Sequence, residues 1–241
     1  MKTVAILLCA GAGHRMGDTV ADKALARLGN RPLFDHSLQA FEKHRQTDGY
    51  VVVYRDPVQR RRLEDRMSDL TKRPAIRVAG GRERWESVYN ALQALPGETE
   101  YVFIHDCARP FIHPDQLKEL YRTVVEDKAS CLAHRMVNTV KQTTGSSSGT
   151  RRLKLKNLDR NNLWEMETPQ AFAADLIRHC YSEAKKIGLQ ATDDMGTVIH
   201  FGHRVTLVEN PRPNPKITFP QDLALAELLW EIGNNPSPER S

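Results

Sequence analysis

Short, fully apolar runs alternate with stretches of helical periodicity, and no other feature constrains the fold of this chain so tightly. Residues 3–9 (TVAILLC), 50–54 (YVVVY), 75–79 (AIRVA), 101–105 (YVFIH), 130–137 (SCLAHRMV) and 204–208 (RVTLV) have the length of strands. Several show no polar face, the pattern of a strand covered on both sides. Helix signals lie between them. Pro32 opens a segment with Leu33, Phe34, Leu38 and Phe41 on one side, and 57–70 reads as a strongly charged helix. Over 84–95, Val88, Leu92 and Leu95 are four and three apart, and Leu117, Leu120, Tyr121, Val124 and Val125 keep the same helical register. A helix is predicted over 173–187, another starts at Thr192-Asp193-Asp194, and the last opens with Thr218-Phe219-Pro220-Gln221 at capping-box spacing. Leu225, Leu228, Leu229 and Ile232 form its apolar stripe. This alternation predicts an α/β fold, a parallel sheet with helices on both faces.

The pattern breaks at 138–160, where polar segments flank Gly145-Ser146-Ser147-Ser148-Gly149. A Gly/Ser tip between polar flanks reads as a projecting hairpin, because burying it would strand its backbone polar groups. The 241 residues suit one domain spanning 1–241, with 138–160 as a projecting arm and 234–241 as a flexible tail.

Charge and cysteine usage narrow the function classes. Thirty-five basic against thirty acidic residues give a net charge of +5, which suits anionic partners. The basic residues are scattered, so bound phosphates account for the charge as well as nucleic acid does, and no nucleic-acid partner is expected. Cys9, Cys107, Cys131 and Cys180 form no CxxC pair, and the nine histidines include no HxxxH pair, which argues against a transition-metal site. Lys2 and the apolar run after it have the look of a secretory leader, but His14-Arg15 interrupts the run soon after strand length. No stretch reaches the roughly 20 apolar residues of a bilayer span, so a cytoplasmic protein without a membrane partner is expected.

In an open parallel sheet ligands bind at the carboxyl ends of the strands. After the first strand comes Ala10-Gly11-Ala12-Gly13-His14-Arg15-Met16-Gly17. Small residues let successive backbone N–H groups approach an anion, Arg15 offers a planar fork for phosphate oxygens, and Lys23 adds a point charge. The string is neither a Walker A loop nor a GxGxxG fingerprint, and a plain strand-to-loop passage fits it too. Gly80-Gly81-Arg82-Glu83-Arg84 ends another strand and opens a helix; it is either a turn or a set of amides that reads a base, with Ser87 one helical turn on. Asp106, at the mouth of the central strand, suits Mg²⁺ or a ribose hydroxyl, or the cap of the next helix. Lys216 stands in the stiff segment NPRPNPKIT. No nucleophile–base pair accompanies His14, His105 or Cys107.

Read in order, AGAGHRMG, LGNRPLFDHSLQAFE, AGGRERWESVYNAL, VFIHDCARPFI, NTVK, LDRNNLW, TPQAF, TDDMG and NPKITFPQDLALAE resemble the cytidylyltransferases that act on 2-C-methyl-D-erythritol 4-phosphate. The resemblance runs from residue 10 to about 227 and implies a Rossmann-like, GT-A-like nucleotidyltransferase fold with a mostly parallel sheet. It implies a homodimer locked by the 138–160 arm, and CTP, Mg²⁺ and a polyol phosphate as ligands. By position, Arg15 and Lys23 match the pair that stabilises the transition state. Ala10, Gly11, Ala12, Gly13, Gly81, Arg82 and Ser87 match nucleotide contacts. Asp106, also the expected metal ligand, and Arg109 match the junction of ribose, metal and acceptor. Thr139, Arg160, Thr168 and Lys216 match acceptor contacts, and Arg160 reaches in from the partner's arm.

The chain departs from the family pattern at Asp22-Lys23-Ala24, where Pro-Lys-Gln is usual, and one extra residue separates Arg15 from Lys23. Asn138 replaces an aspartate, Glu167 a glutamine and Pro215 an aliphatic residue. DKAL is more similar to the start of molybdopterin guanylyltransferases. A cytidylyltransferase for another polyol phosphate such as ribitol 5-phosphate, a guanylyl or sugar-nucleotide transferase, and a catalytically silent nucleotide-binding protein are the alternative readings.

Overall fold

The computed structural model of the chain describes residues 1–11, 13, 16, 22–143 and 153–234. The chain enters through β1 (Thr3–Leu8), a 3-10 turn (Lys23–Leu25) and the short ribbon β2 (Arg27–Leu28) and β3 (Arg31–Pro32). There follow α1 (Leu33–Lys43), β4 (Gly49–Tyr54), α2 (Pro57–Leu70), β5 (Ala75–Ala79), α3 (Arg84–Gln93), β6 (Tyr101–Asp106), α4 (Pro114–Asp127) and β7 (Ala129–Arg135). The arm pairs β8 (Lys141–Thr143) with β9 (Leu155–Asn157), and a 3-10 turn (Arg160–Asn162) leads into β10 (Trp164–Ala173). α5 (Ala174–Ile187), α6 (Asp194–His200), β11 (Thr206–Glu209) and α7 (Pro220–Asn234) complete the described chain.

Within the described residues the main sheet has seven strands in the order β11-β7-β10-β6-β1-β4-β5. β1 pairs in parallel with both β4 and β6, β4 with β5, and β7 with β11, whereas β10 runs antiparallel to β6 and β7. The expected mostly parallel sheet with helices on both faces is therefore present. Side chains alternate between two cores. Ala5, Leu7, Val52 and Phe103 pack with Leu38, Phe41, Leu63, Leu117 and Leu120 from α1, α2 and α4. Val4, Ile6, Val51 and Ile104 pack with Val88, Leu92, Ile177 and Val198 from α3, α5 and α6. Both faces being covered explains why the strand sequences carry no polar alternation.

Three features depart from the sequence pattern. Strand β10 is long and central, yet WEMETPQAFA has neither an apolar run nor period-two alternation and announces no strand. Its polar members are buried because they are satisfied: Glu167 bonds His134 and Asn210, and Gln170 bonds Asp193 and the Met195 N–H. Pro169, joined to Thr168 by a cis peptide bond, sits at the register shift between Met166 and Gln170, where a missing N–H removes no ladder bond. Second, Leu225, Leu228 and Ile232 do not face the core: they are exposed, and α7 packs through Ala226 against Leu28, Leu33 and Ile217, with Leu223 and Trp230 beside them. Third, the N-terminal turn of α7 is held by Asp222, not Gln221, which accepts the Thr218 and Phe219 N–H groups at 2.8 Å each. The strands read as 130–137 and 204–208 shift to Ala129–Arg135 and Thr206–Glu209. All four cysteines are buried free thiols, as their apolar surroundings suggest.

Candidate active site

β1, β4, β5 and β6 deliver their carboxyl ends to one edge of the sheet, and a cleft of about 330 Å³ opens there. Ala10, Gly11, Lys23, Gly81, Arg82, Ser87, Asp106 and Lys216 line it, so most of the residues picked from sequence for nucleotide binding share one cavity. Arg55, Glu83 and Arg84 join them.

The wall beneath β6 is built from charge. Lys216 Nζ donates to Asp106 Oδ2 at 2.5 Å, and Arg84 Nε donates to Oδ1 at 3.0 Å. The same guanidinium forks onto Asp194, at 3.0 and 2.8 Å, and Tyr181 Oη donates to Asp194 Oδ1 at 2.5 Å. Asp194 is fully buried. Burial alone would push the Asp106 carboxyl up, but Arg84 and Lys216 outweigh it and hold the group well below the usual carboxylate range. Burial also opposes the charge on Arg84, and Asp106 with Asp194 reverses that, so Arg84 stays protonated. Within the Gly80–Arg84 stretch the sequence alone assigns Arg84 no role; an arginine at the first helical position after the glycine pair is its signal.

His105, just before Asp106, is buried between Ser37 Oγ at 3.2 Å and Thr168 Oγ1 at 3.1 Å. Burial, reinforced by the nearby Arg109 charge, holds it neutral with its pKa down to about 3. Thr168 Oγ1 also accepts the Asp106 N–H at 3.1 Å. Thr168, expected to touch the acceptor, is thus buried behind Asp106 and fixes its backbone. Arg109 donates to the carbonyls of Asn214 at 2.8 Å and Met166 at 3.4 Å, and its buried Nε has no partner among the described residues. Asn214 answers by accepting the Phe111 N–H and donating to Thr168 O, both at 3.2 Å, and Ile217 N–H bonds Ala108 O. The proline-rich segment is sewn to the 106–111 loop in this way, which sets Lys216 over Asp106.

The opposite wall is built from close backbone approach. A side chain on Gly80 would bring its Cβ within 2.5 Å of Ala10 Cβ, so only glycine lets the loops after β1 and β5 touch. Gly13 has φ +66°, and the position of its missing Cβ lies 3.6 Å from Lys23 Cβ. Ser87 Oγ accepts the Gly81 N–H at 3.0 Å and Glu86 accepts the Arg82 N–H at 2.7 Å. Asp22, where proline was the usual residue, has φ −146°, outside proline's range, and its Oδ1 accepts the Ala24 N–H at 3.1 Å. Glu167, the other buried departure, is paired with His134 Nδ1 at 2.9 Å, so a carboxylate replaces the expected amide together with a histidine partner.

Two further groups of predicted residues remain. Ala12 and Arg15 lie outside the described residues, as do the 144–152 tip of the arm and the 235–241 tail. Thr139 and Arg160 are exposed at the arm, where Arg160 Nη1 donates to Val137 O at 2.9 Å. They do not line the cleft of their own chain. Among the described residues no helix is long and apolar enough to cross a membrane, and no group of three or more His, Cys, Asp or Glu side chains could cage a metal.

A cleft at the carboxyl ends of a parallel sheet, with small residues on one wall and cations around a single carboxylate on the other, defines a nucleotide-dependent transferase of phosphorus groups. Comparison with known proteins is more specific. The family model of IspD, 2-C-methyl-D-erythritol 4-phosphate cytidylyltransferase, matches residues 3–231, and the chain belongs to that family. A protein of that name from Geobacillus kaustophilus is 37% identical over 230 residues, covering 95% of this chain and 97% of its own. The solved structure of the Francisella tularensis 2-C-methyl-D-erythritol 4-phosphate cytidylyltransferase matches with a TM-score of 0.77 at 26% identity, over 95% of this chain and 99% of that one. The 4-diphosphocytidyl-2C-methyl-D-erythritol synthase of Anaerococcus prevotii, at 23% identity, shares the fold with a TM-score of 0.81 over 95% and 96% of the two chains.

Proposed function

We propose that this chain transfers the cytidylyl group of CTP to 2-C-methyl-D-erythritol 4-phosphate, releasing pyrophosphate and forming 4-diphosphocytidyl-2-C-methyl-D-erythritol. The observation that carries the reading is the meeting of Lys216 with Asp106 in the cleft that Lys23 and the Ala10-Gly11 backbone also line. An oxygen of the acceptor phosphate attacks the α-phosphorus in line, the new O–P bond forms, and the bond to pyrophosphate breaks. A phosphate monoester has a second pKa of about 6 and is already dianionic near neutral pH, so no general base is required. That agrees with His105, which is buried behind the cleft, neutral and committed to Thr168 and Ser37. The residues then have to bring two anions together and offset charge developing on the transferred group. Lys23, with Arg15, does the second; Lys216 does the first.

Asp106 would hold Mg²⁺ that arrives with the nucleotide if Lys216 gives up Oδ2 to it, because such an ion needs one or two carboxylates and takes its other ligands from phosphates and water. When bound, the ion supplies charge neutralisation along the triphosphate. A homodimer in which Thr139 and Arg160 of the partner's arm reach the acceptor accounts for the distance of these residues from their own cleft.

The test is pyrophosphate release with each nucleoside triphosphate and a panel of polyol phosphates. CTP with 2-C-methyl-D-erythritol 4-phosphate should give the highest kcat/KM. Preference for GTP, or for ribitol 5-phosphate, would overturn the reading in favour of the corresponding enzyme, and silence with every pair would leave a binding protein.

A further inference from the structure

We propose that Gln59 is a positioning residue for nucleotide transfer, whose side-chain amide ties the end of β1 to the turn that carries Lys23. Gln59 belongs to the first turn of α2 and is 1% exposed. Its Nε2 donates to Cys9 O at 3.0 Å, where the chain leaves β1, and to Asp22 Oδ1 at 3.0 Å, where the chain enters the turn that carries Lys23. Both hydrogens of the amide are thereby used. Its Oε1 accepts the Arg55 N–H at 2.6 Å. The three partners admit one orientation of the amide, since Arg55 N–H only donates and Cys9 O only accepts.

Anchoring α2 does not account for this arrangement. Asp56 already caps α2 by accepting the Gln59 N–H at 2.8 Å, and Leu63 and Met67 supply its core packing. The amide side chain is spent on the loop instead. Asp22 links the clamp to the chemistry: the Oδ1 that receives Gln59 also accepts the Ala24 N–H, next to Lys23, and Arg55 Nη2 lies 3.7 Å from Oδ2. Lys23 is set against Gly13 and opposite Ala10 and Gly11 by contacts whose two ends meet on one neutral side chain. A misplacement of about 1 Å in such a site lowers rates by about a hundredfold, so the clamp acts on nucleotide use rather than on folding alone.

The proposal rests on the cytidylyltransferase reading, and its test has one arm that does not. In Gln59→Leu, amide hydrogen exchange at Ala24 should be at least about tenfold faster than in the wild type, with no substrate present. In steady-state assays Gln59→Leu and Asp22→Ala should each lower kcat/KM for CTP by about ten- to a hundredfold while KM for the acceptor stays unchanged. The double variant should lose clearly less than the product of the two single losses, because the Gln59–Asp22 bond that both remove is shared. Asp22→Asn, which keeps an acceptor at Oδ1, should recover most of the loss. If Gln59→Leu does not fold, Gln59→Met, neutral and of similar length, also loses both donated bonds and serves in its place. Unchanged Ala24 exchange, CTP parameters equal to wild type, or losses that multiply in the double variant would each overturn the clamp. A wild type inactive with CTP and every acceptor counts against the enzymatic reading and leaves the exchange result to decide on the clamp.

Discussion

The two walls of the cleft solve the same problem with different forces. The β6 wall fixes its functional groups through ion pairs on two buried carboxylates, Lys216–Asp106–Arg84–Asp194, closed by Tyr181. The β1 wall has small residues and backbone amides, and its described ends are joined by a neutral carboxamide. Paired charges are hard to move because separating them leaves a charge without compensation in a poorly solvated place. A neutral clamp fixes two chain ends while leaving the electrostatic field of the loop for the ligand. The β6 wall is consequently tied to the stability of the fold, and the β1 wall to the geometry of a few backbone groups.

The comparison predicts its largest effect at Arg84. Arg84→Ala leaves Asp194 and Asp106 buried without their shared cation and should cost about 3–5 kcal/mol, measured by urea unfolding. Arg84→Lys should restore little, because one ammonium cannot replace a fork that bonds two carboxylates. Next come the cations that face the cleft. Lys23→Ala and Lys216→Ala should each lower turnover by about a hundredfold, read by pyrophosphate release, with an unfolding midpoint much closer to wild type than that of Arg84→Ala. Near-normal turnover in folded Lys23→Ala would remove the β1 wall from the chemistry. Arg160→Ala should mainly harm acceptor use. Mixing Arg160→Ala with Lys216→Ala subunits should recover part of the activity if the arm completes the partner's site, and should recover none if both residues serve one chain.

The smallest effect concerns pH. The folded chain holds His105 neutral, with a pKa down to about 3, against about 6.5 when unfolded. Between those values the unfolded chain binds a proton that the folded chain does not. The stability tied to this neutrality is therefore complete above about pH 6.5 and is lost as the pH falls toward 3. Acidification from pH 6.5 to 5 should cost about 2 kcal/mol through His105, and His105→Gln should flatten the pH profile of unfolding by that amount. His44, whose pKa burial and Arg73 lower to about 4, adds a parallel slope that the substitution leaves in place.

Much of this site was legible in the chain itself. Apolar runs ending in glycines or in Asp106 marked where strands meet loops, and the strand-end rule then named Ala10, Gly11, Gly81 and Lys216. What was not legible follows from long-range satisfaction of polar groups. β10 carries Glu, Pro and Gln and looks unlike a central strand until His134, Asn210, Asp193 and Met195 are brought against it. Gln59 reads as part of an Asp-Pro-Val-Gln helix start, and only its distance to Cys9 and Asp22 reveals the clamp. Thr168 reads as a ligand contact, whereas the fold turns it inward onto His105 and Asp106.

The sequence by itself determined the layered α/β class, the edge of the sheet that holds the cleft, and the cations assigned to it. Periodicity and strand ends are local properties, set by residues near one another in the chain. Tertiary structure alone decided which charges neutralise one another, as with Arg84 between Asp106 and Asp194, and which side chains hold the loop. Those partners lie far apart in sequence, and a buried charge or amide takes its role from whichever group the fold brings within hydrogen-bond reach.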